Sequence, residues 1–143
     1  MNDVRVVYKL GAWDPFHIGH LNVLQIAANL GDILVVGVAT DEWIKEYKHR
    51  EPFYPFCDRV RILSELRSVD FVVPYTSAAD IAPVDRYNVT VVVVDQLWGK
   101  GNSLQAKHQR RATKLFRKRG VSFVEVPRTP NISSTQIRGE FHA

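Results

Sequence analysis

The turn between the first predicted strand and the first predicted helix constrains this chain more than any other segment. Residues 11–20 read Gly-Ala-Trp-Asp-Pro-Phe-His-Ile-Gly-His and follow the apolar run at residues 4–8. A helix-like run at residues 21–30 comes next and stops at Gly31, a residue that often ends a helix. Residues 11–20 are therefore a strand-to-helix turn with two histidines at its helical end.

The chemistry of this turn suits an anionic ligand. Glycines such as Gly11 and Gly19 let the backbone approach a ligand closely. The N-terminus of a helix offers unpaired N–H groups and a partial positive charge, which favour phosphate. His17 and His20 are three residues apart, so they share one face of a helix. Two imidazoles beside a helix start predict a site for anionic oxygens.

The rest of the pattern predicts an α/β fold in one domain, residues 1–143. Further strands are indicated at 33–39, 70–74, 90–94 and 121–126, and further helices at 58–66, 78–87, 103–119 and 133–141. The strand at 33–39 is continuously apolar, which is typical of strands buried on both faces of a parallel sheet. We therefore expect a doubly wound, five-stranded parallel sheet that binds ligands beyond the carboxyl ends of its strands.

Residues 41–56 are the one long segment without a predicted regular element. They are polar and aromatic, and Pro52 and Pro55 interrupt them. Because proline cannot continue a helix or a central strand, we interpret the segment as a loop, with at most a helical turn at its start.

Composition is typical of a soluble globular protein and excludes several classes. Apolar residues make up 45% of the 143, and no run approaches the length of a transmembrane helix. The first residues lack the layout of a signal peptide. Cys57 is the single cysteine and cannot form an internal disulfide, which fits a reducing compartment. We expect a cytoplasmic protein without a membrane partner.

Much of the net charge of +4 lies in residues 107–119. A basic helix is compatible with nucleic-acid binding. It is equally compatible with the solvated face of an amphipathic helix, whose core side would carry Leu104, Ala112, Leu115 and Phe116. The second interpretation is favoured because no aromatic platform for bases accompanies the charges. We therefore expect no nucleic-acid partner.

Two segments carry a resemblance to a known family. Residues 11–20 resemble the signature of the nucleotidyltransferase superfamily, whose core is His-x-Gly-His. Residues 127–135, Pro-Arg-Thr-Pro-Asn-Ile-Ser-Ser-Thr, resemble the Arg-Thr-x-x-Ile-Ser-Thr-Thr motif of cytidylyltransferases. The order and spacing of both motifs are most similar to the glycerol-3-phosphate cytidylyltransferase group. The resemblance implies a Rossmann-like nucleotidyltransferase fold, a homodimer, and Mg²⁺ with CTP as the nucleotide.

The resemblance also implies a reaction and its catalytic residues. Nucleotidyltransferases attack the α-phosphorus of a nucleoside triphosphate and expel pyrophosphate, a reaction helped by cations and N–H donors. His17 and His20 take the role of donors to the triphosphate, and Lys48 and Arg128 are further catalytic candidates. A metal-binding histidine pair is the alternative, but no Cys, His or Glu lies nearby in a recognised ligand spacing. We therefore expect no protein-bound metal site.

Nucleotide-binding roles follow from matching positions in the motifs. They are implied for Gly11, Ala12, Trp13, Asp14, Gly19, Asp95, Gln96, Arg128, Thr129, Ile132, Ser133, Ser134 and Thr135. Ala12 and Trp13 replace the family's usual Thr-Phe, which removes one hydroxyl. Asp14 and Ser133 have a structural alternative, because both residue types cap turns and helices.

Acceptor binding is implied for Lys48, Arg50 and Arg59, whose spacing resembles the basic loop that grips substrate phosphate in cytidylyltransferases. The alternative is a solvated loop with Arg59 on a helix surface. Arg50 replaces a lysine of the family, which changes the geometry of the charge. Gln96 replaces an acid, and Asp95-Gln96 resembles archaeal FMN adenylyltransferases, as Arg50-Glu51-Pro52 also does.

The sequence thus predicts a cytidylyltransferase that joins CMP from CTP to a small phosphorylated or phosphonate alcohol. An adenylyltransferase that uses ATP on FMN or a sugar phosphate is the first alternative. A nucleotide- or RNA-binding module without catalysis is the second, and the intact histidine pair and Arg128 argue against it.

Overall fold

Five parallel strands form the centre of the molecule. The computed structural model describes residues 3–137 and 139. The strands are β1 (Val6–Gly11), β2 (Ile33–Ala39), β3 (Phe71–Tyr75), β4 (Val91–Val94) and β5 (Ser122–Glu125). They lie in the order β3-β2-β1-β4-β5, and every neighbouring pair is parallel. The predicted five-stranded parallel α/β fold is confirmed.

Helices cover both faces of the sheet. They are α1 (Ile18–Ala28), α2 (Asp41–Lys48), α3 (Phe56–Ser64), α4 (Ala82–Tyr87), α5 (Leu104–Arg117) and α6 (Ser134–Ile137). Leu24 of α1 and Leu63 of α3 belong to one buried cluster, whereas α2, α4 and α5 contribute Ile44, Val84 and Phe116 to the other. The sheet is therefore doubly wound, and it separates two apolar cores.

The winding direction changes between β1 and β4. The helix after β1 packs on one face, and α5, the helix after β4, packs on the opposite face. The two strands pair through Val7 with Val91 and Tyr8 with Val92, while β1 continues to Gly11. Because the following chain segments leave to opposite sides, a crevice opens at the carboxyl ends of β1 and β4.

The segment predicted as a loop contains a regular helix, so that prediction was wrong for its first half. α2 occupies eight residues of it. The hydroxyl of Thr40 accepts a hydrogen bond from the N–H of Trp43, and Trp43 and Ile44 are buried against the sheet. The helix ends at its left-handed C-cap, His49, and the two prolines lie beyond that point.

α5 largely follows the amphipathic interpretation. Ala112 and Phe116 are fully buried and Leu115 packs against the core. Leu104, predicted to face the core, is instead 37% exposed because it lies in the first turn, directly after the N-cap Ser103.

The predicted last helix is described only as α6, and its continuation through residue 141 lies, apart from Gly139, outside the described residues. In residues 3–137 and 139, no helix combines the length and apolar character needed to span a membrane.

Gly37 shows how tightly the central strands pack. It lies in the middle of β2, and a Cβ atom placed there would meet the hydroxyl of Tyr8 and come within 2.8 Å of two ring carbons of the same side chain. Tyr8 is fully buried, so its ring has little room to move. The absence of a side chain at Gly37 is what allows this tyrosine to lie across the sheet.

We therefore expect Gly37→Ala to lower the free energy of unfolding by about 1–3 kcal/mol, the usual cost of overpacking a core. Denaturant unfolding measures this directly. The matched comparison is Gly37→Ala in a Tyr8→Leu background, where the overlap is relieved and the added cost should largely disappear. An equal cost in both backgrounds would contradict this explanation of the glycine.

Candidate active site

A cavity of about 510 Å³ opens at the switch between β1 and β4, on the carboxyl side of the sheet. It collects most of the site residues predicted from the two sequence motifs. Those that line it are Gly11, Ala12, Trp13, His17, Gly19, His20, Lys48, Asp95, Arg128, Thr129, Ile132, Ser133, Ser134 and Thr135. Residues more than a hundred positions apart thus share one concave surface.

The two histidines form the start of α1. His17 is the N-cap residue, and its Nδ1 accepts a hydrogen bond of 3.0 Å from the N–H of Gly19. The Nδ1 of His20 accepts a bond of 3.2 Å from the N–H of His17. This is a capping box built from imidazoles, and it fixes both side chains relative to the backbone. The rings are stacked with centroids 3.8 Å apart.

Gly19 and Trp13 hold the histidine rings in place. A Cβ at Gly19 would come within 2.8 Å of the ring of His17 and 3.2 Å of Ile132, so only glycine leaves room for both side chains. The indole of Trp13 meets the ring of His20 edge-on at 5.1 Å, and its Nε1 donates to the carbonyl oxygen of Gly37. The tryptophan that departs from the family pattern is therefore a buried support for His20.

Contacts between the two motifs close one side of the cavity. The hydroxyl of Ser134 donates to the carbonyl oxygen of Pro15 at 3.0 Å. The side-chain amide of Asn22, on α1, donates to the hydroxyl of Thr129, also at 3.0 Å. Ser133 accepts from the N–H of Gln136, so it caps α6 while it lines the cavity. The second motif is thus docked onto the first.

Asp95 and Arg128 form an ion pair across the mouth of the crevice. The Nε and Nη2 of Arg128 donate to one carboxylate oxygen of Asp95 at 3.1 and 2.9 Å. The N–H of Leu97 donates to the other oxygen. Burial favours the protonated acid, but the hydrogen bonds from Arg128 and Leu97 and the charges of Arg128 and Lys9 outweigh it, so the pKa of Asp95 lies below its usual value. Asp95 is an anion at neutral pH.

The cavity is strongly cationic, which suits a polyanionic ligand. Lys9, Lys48, Lys100 and Arg128 line it, against the single carboxylate of Asp95. Burial lowers the pKa of His17, and burial, together with the charges of Lys9, Lys48 and a protonated His17, lowers the pKa of His20 to about 3. Both histidines are therefore neutral at pH 7.

Four predicted site residues do not line the cavity: Asp14, Arg50, Arg59 and Gln96. The carboxylate of Asp14 is buried and accepts hydrogen bonds from the backbone N–H groups of Phe53 and Tyr54, at 2.7 and 2.8 Å. It therefore ties the first loop to the segment after α2. Gln96 is exposed, and Arg50 donates to the carbonyl oxygen of Glu51.

Arg59 is neither a helix-surface cation nor a part of the cavity wall. Its side chain is completely buried. The guanidinium donates to the carbonyl oxygens of Tyr54, Ala12 and Ala39 and forms a 2.6 Å ion pair with Asp41. These acceptors belong to the first loop, the end of β2, the start of α2 and the segment before α3. Arg59 therefore fixes the position of α2, whose last residue is Lys48.

The structure adds cavity residues that the motifs did not indicate. They include Lys9, Tyr47, Tyr75, Trp98, Lys100, Gln105 and Gln109. Gln105 and Gln109 are one helical turn apart on α5, a spacing that places both on the cavity side. The sequence could have indicated Lys9 as a candidate site residue, because this lysine interrupts an otherwise apolar strand.

The side chains of the cavity do not form a cage for a resident metal ion. Within residues 3–137 and 139, no group of three or more His, Cys, Asp or Glu side chains is arranged to hold one. The carboxylate that lines the cavity is already engaged by Arg128. Two imidazoles whose Nδ1 atoms accept backbone hydrogen bonds offer only their Nε2 atoms to a ligand.

Comparison with known proteins agrees with this geometry. Glycerol-3-phosphate cytidylyltransferase of Bacillus subtilis (strain 168) is 31% identical over 139 residues, 96% of this chain and 97% of that protein. FAD synthase of Pyrococcus abyssi (strain GE5 / Orsay) is 46% identical over 70 residues, 49% of this chain and 47% of that protein.

A solved structure shares the fold. The lipopolysaccharide core biosynthesis protein of Thermoplasma volcanium GSS1 superposes with a TM-score of 0.65 and 24% identity, covering 88% of this chain and 97% of that one. The sequence profile described as cytidylyltransferase-like matches residues 8–140, which include both motifs and nearly every element of the sheet. The chain therefore belongs to the cytidylyltransferase-like family of nucleotidyltransferases.

Proposed function

We propose that this enzyme transfers CMP from CTP to a small phosphorylated or phosphonate alcohol, such as glycerol 3-phosphate, with release of pyrophosphate. The observation that carries the proposal is the shared cavity of His17, His20, Lys48 and Arg128 with the hydroxyls of the second motif. The full-length similarity to a glycerol-3-phosphate cytidylyltransferase supports the choice of CTP and of a phospho-alcohol. In the reaction an acceptor phosphate oxygen bonds to the α-phosphorus, and the bond from that phosphorus to the bridging oxygen breaks.

The histidines act in this proposal as neutral hydrogen-bond donors. An Nδ1 that accepts from a backbone N–H carries no proton, so the proton of each neutral ring resides on Nε2. Two Nε2–H groups then stand side by side at the start of α1, where the helix dipole also favours negative charge. They would donate to phosphate oxygens as charge moves onto the leaving pyrophosphate. Because the acceptor is already an anion, no general base is required.

Lys48 and Arg128 provide the full positive charges. Transfer between two anions needs their repulsion to be offset and their oxygens aligned, and preorganised cations accomplish both. Lys48 lies at the C-terminal end of α2, whose position the buried Arg59 fixes. We infer that Lys48 orients the acceptor phosphate and Arg128 the triphosphate, while Arg59 acts through α2 as a positioning residue.

Mg²⁺ would enter with the nucleotide rather than from a protein cage. Magnesium is commonly held by substrate phosphates and water with few protein carboxylates. The donor set of the cavity, with Asp95 as its one carboxylate, fits that arrangement and not a resident metal site.

ATP is the alternative nucleotide, with FMN or a sugar phosphate as acceptor. The 46% identity to an archaeal FAD synthase over 70 residues favours it, as does Gln96 in place of an acid. Against it, the segment from Arg128 to Thr135 resembles cytidylyltransferases. A module without catalysis would bind nucleotide but release no pyrophosphate.

We expect CTP to be the faster substrate. Pyrophosphate release should be measured with CTP and with ATP, each against glycerol 3-phosphate, other phospho-alcohols and FMN. A higher kcat/KM with CTP and a phospho-alcohol supports the proposal. Faster release with ATP across the same acceptors would reverse the choice of nucleotide, and no release with any pair would favour the non-catalytic module.

The burial of His20 predicts a pH dependence of stability. The pKa of His20 is lowered from 6.5 to about 3 in the folded chain, so the unfolded chain binds a proton that the folded chain does not. The contribution of His20 to stability is therefore complete at pH values above the pKa of the unfolded chain. It is lost as the pH falls towards the pKa of the folded chain. At about 1.4 kcal/mol per pH unit, the loss between neutral pH and pH 5 is about 2 kcal/mol.

His20→Gln should remove this dependence, since glutamine accepts a capping bond from the backbone and does not titrate. Urea unfolding at pH 7 and pH 5 measures the difference between the variant and the parent. The control variant is His49→Asn, at the exposed, left-handed C-cap of α2. Its free energy of unfolding should fall between pH 7 and pH 5 by the same amount as that of the parent. Equal pH dependence in His20→Gln and the parent would show that His20 is not held neutral by the fold.

A further inference from the structure

Lys9 is a cation inside the sheet that neither sequence motif assigns. It lies in β1, two residues before the first motif begins, and it lines the cavity. Its neighbours along the strand, Tyr8 and Leu10, point into the core covered by α2, α4 and α5. Since side chains alternate along a strand, Lys9 lies on the opposite face, the one covered by α1.

Charged and titratable groups face Lys9 from three elements. Asp95 approaches from the end of β4, Arg128 from the segment after β5, and His20 from the first turn of α1. The oxygens of Asp95 accept their described hydrogen bonds from Arg128 and Leu97, and the amine of Lys9 donates none to any described residue. Burial lowers the pKa of Lys9, an effect that Asp95 opposes and Arg128 increases.

A lysine amine in this position is costly for the fold. Lys9 is half-buried, and a partly desolvated charge without a hydrogen-bonded partner destabilises the native state. Apolar side chains fill the neighbouring strand positions, so a methionine or leucine would satisfy packing at this place equally well. A side chain that costs stability and faces a ligand cavity is typical of a functional residue.

We propose that Lys9 is a further anion-binding residue of the active site, whose amine contacts the phosphate chain of the bound nucleoside triphosphate between His20 and Arg128. This inference rests on the proposed function and extends it. The amine supplies a second cation for the triphosphate from within β1, in addition to Arg128. A triphosphate carries enough negative charge to engage both Lys9 and Arg128 while Lys48 holds the acceptor phosphate.

The test replaces Lys9 with methionine, which has a similar length and no charge. We expect the dissociation constant for CTP, measured by calorimetry, to rise about ten- to a hundredfold, as for the loss of one charge-assisted hydrogen bond. The thermal midpoint without nucleotide should be equal to or higher than that of the parent, because a half-buried, unpaired amine has been removed. If ATP proves the faster substrate, the same comparison uses ATP, since the phosphate chain is common to both nucleotides.

A pH profile distinguishes a charge interaction between Lys9 and the ligand from an effect of Lys9 on packing. kcat/KM reports the free enzyme, so in the parent it should fall as alkaline pH deprotonates Lys9, whose pKa is lowered. The arginine of Lys9→Arg stays protonated, so the alkaline fall in kcat/KM should move to higher pH. Lys9→Arg should also retain more of the CTP affinity than Lys9→Met. Lys114→Met, on the exposed side of α5, is the matched control and should change neither quantity.

The outcomes are distinct. If the parent turns over CTP or ATP and Lys9→Met keeps the parent's affinity, the role of Lys9 is overturned and the proposed function stands. A lowered thermal midpoint with unchanged affinity would make Lys9 a structural residue. A parent that binds neither nucleotide would overturn the proposed function itself.

Discussion

The reversal of winding between β1 and β4 is the constraint on which the rest of this structure depends. All strands run parallel, so their carboxyl ends share one edge, and the chain leaves β1 and β4 towards opposite faces. The gap between those departures lets a ligand reach the carboxyl ends of these two strands without displacing a helix. The histidine turn after β1, Asp95 after β4 and Lys9 within β1 all meet there.

A second layer of interactions gives the gap its fixed shape. The buried guanidinium of Arg59 satisfies carbonyl groups from the first loop and from the end of β2, and it pairs with Asp41 at the start of α2. Asp14 performs the same task with two backbone N–H groups. Removing either side chain would leave buried polar groups unsatisfied, which usually costs more than the bond itself contributes. Arg59 and Asp14 thereby fix the backbone on both sides of α2, whose last residue, Lys48, lines the cavity.

The fold and the location of the site followed from the sequence because both depend on local patterns. Apolar runs marked every strand, and the histidine turn marked the end of the strand where the site lies. The sequence did not show which charged side chains line the cavity and which are buried in the protein. Asp14 and Arg59 match the expected spacing as well as His17 does, yet their side chains turn into the protein. Tertiary packing decides whether a charged side chain contacts solvent, a ligand or a buried carbonyl. Spacing along the chain carries no information about that packing. Lys9 shows the converse, since it belongs to no motif and its place in the cavity depends on strands that are distant in sequence.

We propose that a triphosphate binds at the start of α1, between the histidine pair and the second motif. The most direct measurement is a crystal structure of the protein with α,β-methylene CTP, which cannot release pyrophosphate. We expect phosphate density against the Nε2 atoms of His17 and His20, with Arg128 in contact with the phosphate chain. Nucleotide bound instead on the basic outer face of α5, or phosphates that point away from the histidines, would contradict it.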